Sequence, residues 1–316
     1  MPSTANTGTV VLSIDAELGW GHHDLDEPPP RRVEYARTGW RRLVDLLDQY
    51  ELPATWAIVG HLFLDTCDGV HEDHPTPPGW FERERTTWSD RPDLRFGQGL
   101  IEYLESAAVS HEVADHSFSH VLFDDPSTTP AVARAELTAS ADAANRSFDT
   151  FVYPRNRIAH RDILAEAGYT CYRGLPPTAP SVLEGRLGKV ARSVLEAPVL
   201  GKPTVDEYGL VNVPASLFLF SFEGLGRSVA ETLVEDPIVR QVRAGVRAAA
   251  REGETFHLWL HPNNLWADRH ARRLNAVFDI VSSARDAGAV TVEPMVDVAE
   301  RVLASTETPH TTPASP

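Results

Sequence analysis

Short apolar runs and longer amphipathic segments alternate along this chain. The apolar runs are three to seven residues long and carry few charges, which predicts strands buried on both faces. Eight such runs occur, at residues 9–15, 54–60, 113–115, 149–153, 169–173, 209–213, 255–261 and 289–292. Strands that alternate with helices favour mainly parallel pairing, so we expect an α/β fold, either a barrel or an open sheet.

The segments between the strands have the apolar spacing of one helix face. Trp40, Leu43 and Leu47 are an example. Helices are predicted at residues 33–50, 100–107, 129–146, 160–167, 180–196, 229–251, 268–287 and 295–304. Gly168 directly follows one of them, as expected of a C-terminal cap.

Length and composition favour a single domain. The chain has 316 residues, and 42% of them are hydrophobic, which is enough for a sizeable core. We expect an N-terminal tail at residues 1–8, one barrel domain at 9–304 and a disordered tail rich in Thr, Pro and Ser at 305–316.

Residues 65–96 are too long for a simple connection and too polar for a core element. They predict an inserted surface loop of the kind that forms a lid or a binding wall. Cys67, His71 and His74 lie close together in it and could bind a metal ion. The segment shows no fourth ligand, so solvated loop residues are the simpler interpretation.

Charge and hydropathy exclude several classes of protein. A net charge of −16 disfavours a nucleic-acid partner. No apolar run reaches 18 residues, so we expect no transmembrane helix. The first 15 residues lack a basic segment followed by a long apolar one, so we expect no secretory signal. The two cysteines, Cys67 and Cys171, fit a reducing compartment, and we predict a cytoplasmic location.

Acids and imidazoles occur where three predicted strands end. Asp15 and Glu17 alternate along the first strand and therefore point to the same side. His116 and His120 follow the third strand, and a helix that begins near His116 would put both on one face. His261 ends a later strand. Taken singly, each has an ordinary explanation, such as a helix cap or a solvated side chain.

Together these residues indicate a metal centre. In a parallel barrel the carboxyl ends of all strands meet on one face, so residues distant in sequence converge there. Two histidines and one carboxylate are a common ligand set for catalytic zinc. A second carboxylate can take a proton from water, and a separate imidazole can give one to a leaving group.

At this point the sequence resembles a known family. Its ordered motifs are similar to those of the polysaccharide deacetylases with a NodB-homology domain, a group of carbohydrate esterases. The matching segments are Ser13–Glu17, Ala54–Trp56 with Gly60, His116–His120, Phe151–Asn156 and Leu260–Pro262. The resemblance extends over most of residues 9–303, and the His-Ser-x-x-His motif is its most specific part.

The resemblance implies a single-domain, distorted (β/α)7-type barrel that removes acetyl groups from N-acetylated sugars with a divalent metal ion, most often zinc. It implies that Asp15 is the general base and that His261 is the general acid. It implies that His116 and His120 bind the metal.

Two positions depart from the family pattern. The family usually has Asp directly after the base, where this chain has Ala16, so Glu17 becomes the expected third metal ligand. The family also has an arginine before the proline of its third motif, where this chain has Val152. We expect Arg155, after that proline, to orient Asp15 instead.

The substrate is less well defined. Four residues near the motifs could line a sugar groove, and core packing explains them as well: Trp20, Tyr153, Asn156 and Trp259. A polysaccharide, or a lipid- or nucleotide-linked glycan precursor, is the expected substrate class. Two alternatives stay open: hydrolysis of another C–N bond, such as that of a cyclic amide or ureide without metal, and a carbohydrate-binding relative without activity.

Overall fold

The computed structural model describes residues 7–177, 199–221 and 236–307. One mainly parallel sheet forms the centre of the molecule, as the alternating pattern predicts. Its strands are β1 Gly8–Ala16, β2 Thr55–Ile58, β3 Glu112–Asp115, β4 Thr150–Phe151, β5 Cys171–Gly174, β6 Thr204–Val205, β7 Val211–Pro214, β8 Leu217–Phe218, β9 Thr255–Leu260 and β10 Val290–Val292.

The helices surround this sheet. They are α1 Pro30–Gln49, α2 Glu82–Arg85, α3 Pro92–Arg95, α4 Gln98–Glu105, α5 Pro130–Ala144, α6 Arg161–Glu166, α7 Pro237–Glu252, α8 Asp268–Asp286 and α9 Met295–Glu307. In α1 the buried side chains include Trp40, Leu43 and Leu47, the face that the apolar spacing predicts.

Strand β1 is the central strand of the sheet. It pairs in parallel with β2 on one side and with β9 on the other, and its first residues also pair with β10. From β2 the pairing continues through β3, β4 and β5 to β7. Strand β7 runs almost directly into β8, which pairs with β9. This bent segment brings the two ends of the sheet together, so the fold is a single-domain, distorted (β/α)7-type barrel.

Side chains of β1 that point into the barrel change from apolar to polar along the strand. Val11 packs in a layer with Ala57, Ala114 and Val152, below which Met295 of α9 closes the barrel. The next inward positions of β1 are Ser13 and Asp15. Because neighbouring strands are parallel, the polar ends of all of them lie at one rim.

The described elements differ from the sequence prediction in a few places. The short strands β6 and β8 were not predicted, because each contains only two residues. Helix α9 continues to Glu307, so residues 305–307 are helical rather than part of a disordered tail. The helix predicted at 180–196 and the first part of the one predicted at 229–251 lie outside the described residues.

The segment 65–96 is not a solvated loop along its whole length. It contains α2 and α3, and the side chains of Phe81, Trp88 and Leu94 are buried against the body of the protein. Among the described residues, no helix combines the length and the apolar composition that a membrane crossing requires.

Candidate active site

The structure brings the acids and imidazoles of three strand ends to one rim of the barrel. Asp15 and Glu17 come from the end of β1, His116 follows β3 directly, and His261 follows β9. Glu17, His116 and His120 are each at least 95% buried. The convergence depends on parallel pairing, which places the ends of β1, β3 and β9 on the same side of the sheet.

Glu17 and the two histidines are placed so that they could hold a metal ion. The Oε1 atom of Glu17 lies 3.3 Å from Nε2 of His116 and 3.2 Å from Nε2 of His120. The Nδ1 atom of His116 donates a hydrogen bond of 2.6 Å to the carbonyl oxygen of Val152. A neutral His116 therefore has a lone pair, not a proton, on the nitrogen that faces Glu17.

That arrangement fits a cation. A lone pair aimed at a carboxylate oxygen is repulsive unless a proton or a metal ion lies between them. The neighbouring imidazoles also act on the acid: burial alone would raise the pKa of Glu17, but His261, His116 and His120 hold it well below its ordinary value. Glu17, His116 and His120 thus offer the two-histidine, one-carboxylate set that catalytic zinc sites use.

The segment that carries the two histidines is not a helix, so the helical spacing considered in the sequence analysis does not apply. Ser117 and His120 have φ values of 61° and 62°, in the left-handed region, so the chain turns twice within five residues. The turn is fixed from the adjacent strand end, since the amide of Gly60 donates to the carbonyl oxygen of Ser117 at 2.8 Å. The ring centroids of His116 and His120 nevertheless lie 5.1 Å apart, close enough to share one ion.

Asp15 is held by an arginine that the sequence analysis did not select. Nη1 and Nη2 of Arg173, the third residue of β5, donate to the two carboxylate oxygens of Asp15 at 2.5 and 2.7 Å. Burial alone would raise the pKa of Asp15, but the guanidinium outweighs it and lowers the pKa. Arg173 also donates to Asn156, and it lies over the ring of Trp259, with 4.6 Å to the ring centroid.

The expected contact between Arg155 and Asp15 is therefore wrong. Arg155 pairs with Asp24, at 2.5 and 3.0 Å, near the mouth of the site. It sits in a short 3₁₀ turn with a φ of 52°, which directs its side chain toward the loop after β1. The signal for Arg173 was present in the sequence, as the single charge at the end of an apolar strand, Tyr169–Arg173.

His261 lies between the two carboxylates. Its Nε2 atom is 3.7 Å from Asp15 and 3.5 Å from Glu17. Burial lowers the pKa of His261, but the charges of Glu17 and Asp15 outweigh burial and raise it. The side chain is 19% exposed, so it can also meet a molecule that enters from solvent.

A pocket of about 240 Å³ opens above these residues. Asn156 and Trp259, two of the four residues considered for a sugar groove, line it. Phe218, His22 and Asn263 line it as well, and of these Phe218 and Asn263 were not selected from the sequence. His22 and Asn263 lie in three-residue 3₁₀ helices and Phe218 in a two-residue strand, and elements this short leave no periodic signal.

Trp20 and Tyr153 are not part of this pocket. Trp20 is fully buried, 4.5 Å from the ring of His61 between centroids, and donates from its indole nitrogen to the carbonyl oxygen of Arg95. Tyr153 is fully buried among aromatic side chains such as Phe123 and Phe151. Both belong to the core, so the expectation that they contact substrate is wrong.

Comparison with solved structures identifies the fold. A polysaccharide deacetylase from Mycobacterium smegmatis superposes with a TM-score of 0.60 over 100% of this chain and 97% of its own, at 19% sequence identity. A polysaccharide deacetylase from Pseudomonas aeruginosa gives a TM-score of 0.57 over 95% and 92%, at 11% identity. The chain has the polysaccharide deacetylase fold.

This polysaccharide deacetylase fold is shared with a protein of another activity. Puue allantoinase superposes with a TM-score of 0.59 over 98% of this chain and 94% of its own, at 13% identity. No protein-family model matches the sequence, and neither does any curated protein. The polysaccharide deacetylase fold is thus established by structure, and the chemistry has to be argued from the site.

Proposed function

We propose that this protein is a metal-dependent hydrolase that removes the acetyl group from an N-acetylated sugar. The observation that carries the proposal is the meeting of Glu17, His116 and His120 beside a second acid, Asp15, and a third imidazole, His261. A binding protein needs no such pairing of a proton acceptor with a proton donor around a ligand set for metal.

The metal would be held by Glu17, His116 and His120, with zinc as the best match to two imidazoles and one carboxylate. A bound divalent ion would acidify water and polarise the amide carbonyl. Glutamate replaces the aspartate of the related motif, and the contacts of 3.2–3.3 Å to both imidazoles support Glu17 as the third ligand.

The chain's own residues supply the proton transfers. Asp15, oriented by Arg173, accepts a proton from the attacking water. His261 donates a proton to the sugar nitrogen as the C–N bond breaks, which lets the nitrogen leave as an amine. The contact of 3.7 Å between Asp15 and His261 supports a proton path within one site.

The pocket suits one sugar ring. Its volume of about 240 Å³ is below the range of roughly 300–1,000 Å³ for drug-sized ligands. Trp259 and Phe218 pack together at 4.4 Å between ring centroids and line one side, where they offer an apolar surface to a ring. The substrate we propose is an acetylated amino sugar in a polysaccharide or in a lipid- or nucleotide-linked glycan precursor.

Metal content and acetate release from N-acetylated sugars, measured together, test the proposal. The wild type should contain metal and release acetate, and His116→Ala should lose the ion bound at this site and most of the acetate release. His111→Gln is the matched control, because His111 lies at the opposite, amino-terminal end of β3. Full acetate release by metal-free wild type, or by His116→Ala, would refute the proposal.

Hydrolysis of a cyclic amide or ureide is the second candidate. The similarity to Puue allantoinase, with a TM-score of 0.59, supports it nearly as well as the deacetylases support the first. A screen of N-acetylated sugars against ureides and imides separates the two. Turnover of ureides alone would favour the second candidate, and tight sugar binding without any turnover would favour a non-catalytic relative.

We also propose a cytoplasmic location. Cys67 and Cys171 are both unpaired in the structure, which fits a reducing compartment. Labelling of thiols in the freshly isolated, denatured protein tests this, since two reactive thiols per chain are expected.

A further inference from the structure

The inserted segment 65–96 contains a second group of metal-binding side chains. Cys67, His71 and Glu84 come from the segment itself, and His61 comes from the barrel, just after β2. One donor atom from each lies within 4.8 Å of every other. We call these four residues the insert cluster. It shares no residue with the site formed by Glu17, His116 and His120.

The sequence analysis had considered Cys67, His71 and His74 as a group. The structure retains the first two and replaces the third. His74 turns away and pairs with Glu136 at 2.8 Å. The missing donors are His61, which precedes the segment, and Glu84, in the one-turn helix α2. Neither was visible as a ligand because nothing in the spacing of the sequence shows how the segment folds back.

Three of the distances between donor atoms are as short as, or shorter than, the spacing of ligands around one ion. Nε2 of His61 lies 2.9 Å from Oε1 of Glu84, and Nε2 of His71 lies 2.7 Å from Oε2 of Glu84. Sγ of Cys67 is 3.4 Å from Nε2 of His71. Ligands of a tetrahedral zinc ion at about 2.0–2.3 Å lie roughly 3.3–3.8 Å from one another, so small side-chain rotations would admit the ion.

Neighbouring groups orient the donors toward a common centre. Nδ1 of His61 donates to the carbonyl oxygen of Arg95 at 3.2 Å, which leaves Nε2 free to bind a metal. The guanidinium of Arg95 donates to Oε1 of Glu84 at 2.9 and 3.0 Å and to the carbonyl oxygen of Cys67 at 2.7 Å. The amide of Gly69 donates to Sγ of Cys67 at 3.3 Å. Hydrogen bonds from neighbouring groups to the ligand side chains are typical of metal sites in proteins.

Burial and charge favour a bound cation. The side chains of His61 and Glu84 are 0% and 1% exposed, and that of His71 is 12% exposed. A thiolate, a carboxylate and two neutral imidazoles carry two negative charges, and the guanidinium of Arg95 balances only one of them, so a net negative charge remains for a cation to offset. Four protein donors leave no open position, and closed sets of this kind are typical of structural rather than catalytic zinc.

We propose that the insert cluster is a second, structural site for zinc or a similar transition-metal ion, and that this ion fastens the segment 65–96 to the barrel. The fastened segment reaches the first site, since the indole nitrogen of Trp80 donates to Oγ of Ser119 at 3.0 Å, next to His120. The second ion would thus hold the segment against the turn that carries His120, without taking part in the reaction.

Cobalt substitution tests this proposal independently of any activity. The wild type is stripped with a chelator and reloaded with Co²⁺. Thiolate ligation to Co²⁺ gives a near-ultraviolet charge-transfer band, and the first site has no sulfur ligand. We expect this band in the wild type and in His116→Ala, and its loss in Cys67→Ser. Cys171→Ser is the control and should keep the band, since Cys171 is fully buried beside Thr150.

Metal counting by mass spectrometry supplies the second readout. We expect two ions per chain in the wild type and one in each of His116→Ala and Cys67→Ser. Absence of the thiolate band in Co²⁺-loaded wild type would overturn the proposal, as would a single ion that His116→Ala removes completely. Neither outcome depends on Cys67→Ser, so the test is decisive even if that variant does not fold. Failure to release acetate would count against the proposed function but would leave these results unchanged.

Discussion

Arg173 donates hydrogen bonds to both carboxylate oxygens of Asp15, across 158 residues of sequence. Both side chains are at most 3% exposed. Such a bidentate contact fixes the orientation of the Asp15 carboxylate and favours its charged form. Loss of one partner from a buried pair typically costs about 3–5 kcal/mol, because the other charge stays buried without compensation.

Replacement of Arg173 should therefore lower turnover more than it weakens substrate binding. We expect Arg173→Met to lower kcat on the order of 10²-fold or more, with KM little changed, because Asp15 loses its orientation. Arg173→Lys should recover part of kcat, since it restores the charge but not the paired contact. Steady-state kinetics on an acetylated sugar measure both constants.

Arg155→Met is the matched comparison. Arg155 pairs with Asp24 at the mouth of the site and does not contact Asp15 among the described residues. A change in KM larger than that in kcat is expected from it. A loss of kcat greater for Arg155→Met than for Arg173→Met would contradict the assignment of Arg173 as the positioning residue.

The two arginines illustrate what the sequence could and could not predict. The strand that ends at Arg173 was predicted from its apolar pattern, so the position of the residue at the rim followed from the fold. Which of two arginines reaches Asp15 depends on the backbone of a short turn, where Arg155 has a positive φ. No pattern of hydrophobic and polar residues encodes that direction.

His261 should matter most when the leaving group is poor. We expect His261→Asn to keep its metal but to lose on the order of 10²–10⁴ in kcat/KM on an acetamide, whose nitrogen must be protonated as it leaves. An aryl acetate releases a stable phenolate and needs no such proton, so the loss there should be much smaller. Parallel assays of both substrates measure the ratio. Equal losses on the two would show that His261 is not the acid.

Gly21 leaves room for Glu17, the proposed third metal ligand. A Cβ atom at this position would lie 1.8 Å from Oε2 of Glu17, so an alanine must push that side chain aside. We expect Gly21→Ala to weaken metal binding on the order of 10–100-fold, the range found when the support of a metal ligand is lost. Titration of the metal-free protein with Zn²⁺ measures the change.

Gly99→Ala is the control for this substitution. Gly99 is in α4, and no atom lies within 4 Å of the place where its Cβ would be. Metal affinity should be unchanged there, and stability should rise slightly, because alanine favours a helix by up to about 1 kcal/mol over glycine. Unchanged affinity in Gly21→Ala would mean that Glu17 does not bind the metal.

The His116–His120 segment shows where sequence reasoning was right for an incomplete reason. The two imidazoles do face one point, as their spacing of four suggests, but two left-handed residues and not a helix bring them there. The prediction of convergence depended on the ends of parallel strands, which is a property of the whole sheet. The local conformation depended on contacts with the loop after β2, and those are not visible in the segment itself.

His257 should make the fold less stable in acid. Its side chain is fully buried, and Nε2 lies 2.8 Å from Oγ of Ser13. Burial and the nearby charge of Arg173 lower the pKa of His257 to about 3, although Asp15 acts in the opposite direction. Below pH about 6.5, His257 is therefore protonated in the unfolded chain but stays neutral in the folded chain. This histidine should cost about 1.4 kcal/mol of unfolding free energy for each pH unit below that point.

The effect has to be measured as a difference between two proteins, because other groups titrate in the same range. Burial raises the pKa of Asp115 to about 7, so Asp115 binds a proton more readily in the folded state than in the unfolded state. Its protonation therefore stabilises the fold as the pH falls. Wild type and His257→Asn share Asp115 and the metal ligands, so these contributions cancel. Urea unfolding at pH 8, 7, 6 and 5 gives the difference. The unfolding free energy of the wild type minus that of His257→Asn should stay constant between pH 8 and 7. It should then decrease as the pH falls further. A difference that stays constant down to pH 5 would mean that His257 is protonated as easily inside the barrel as in the unfolded chain.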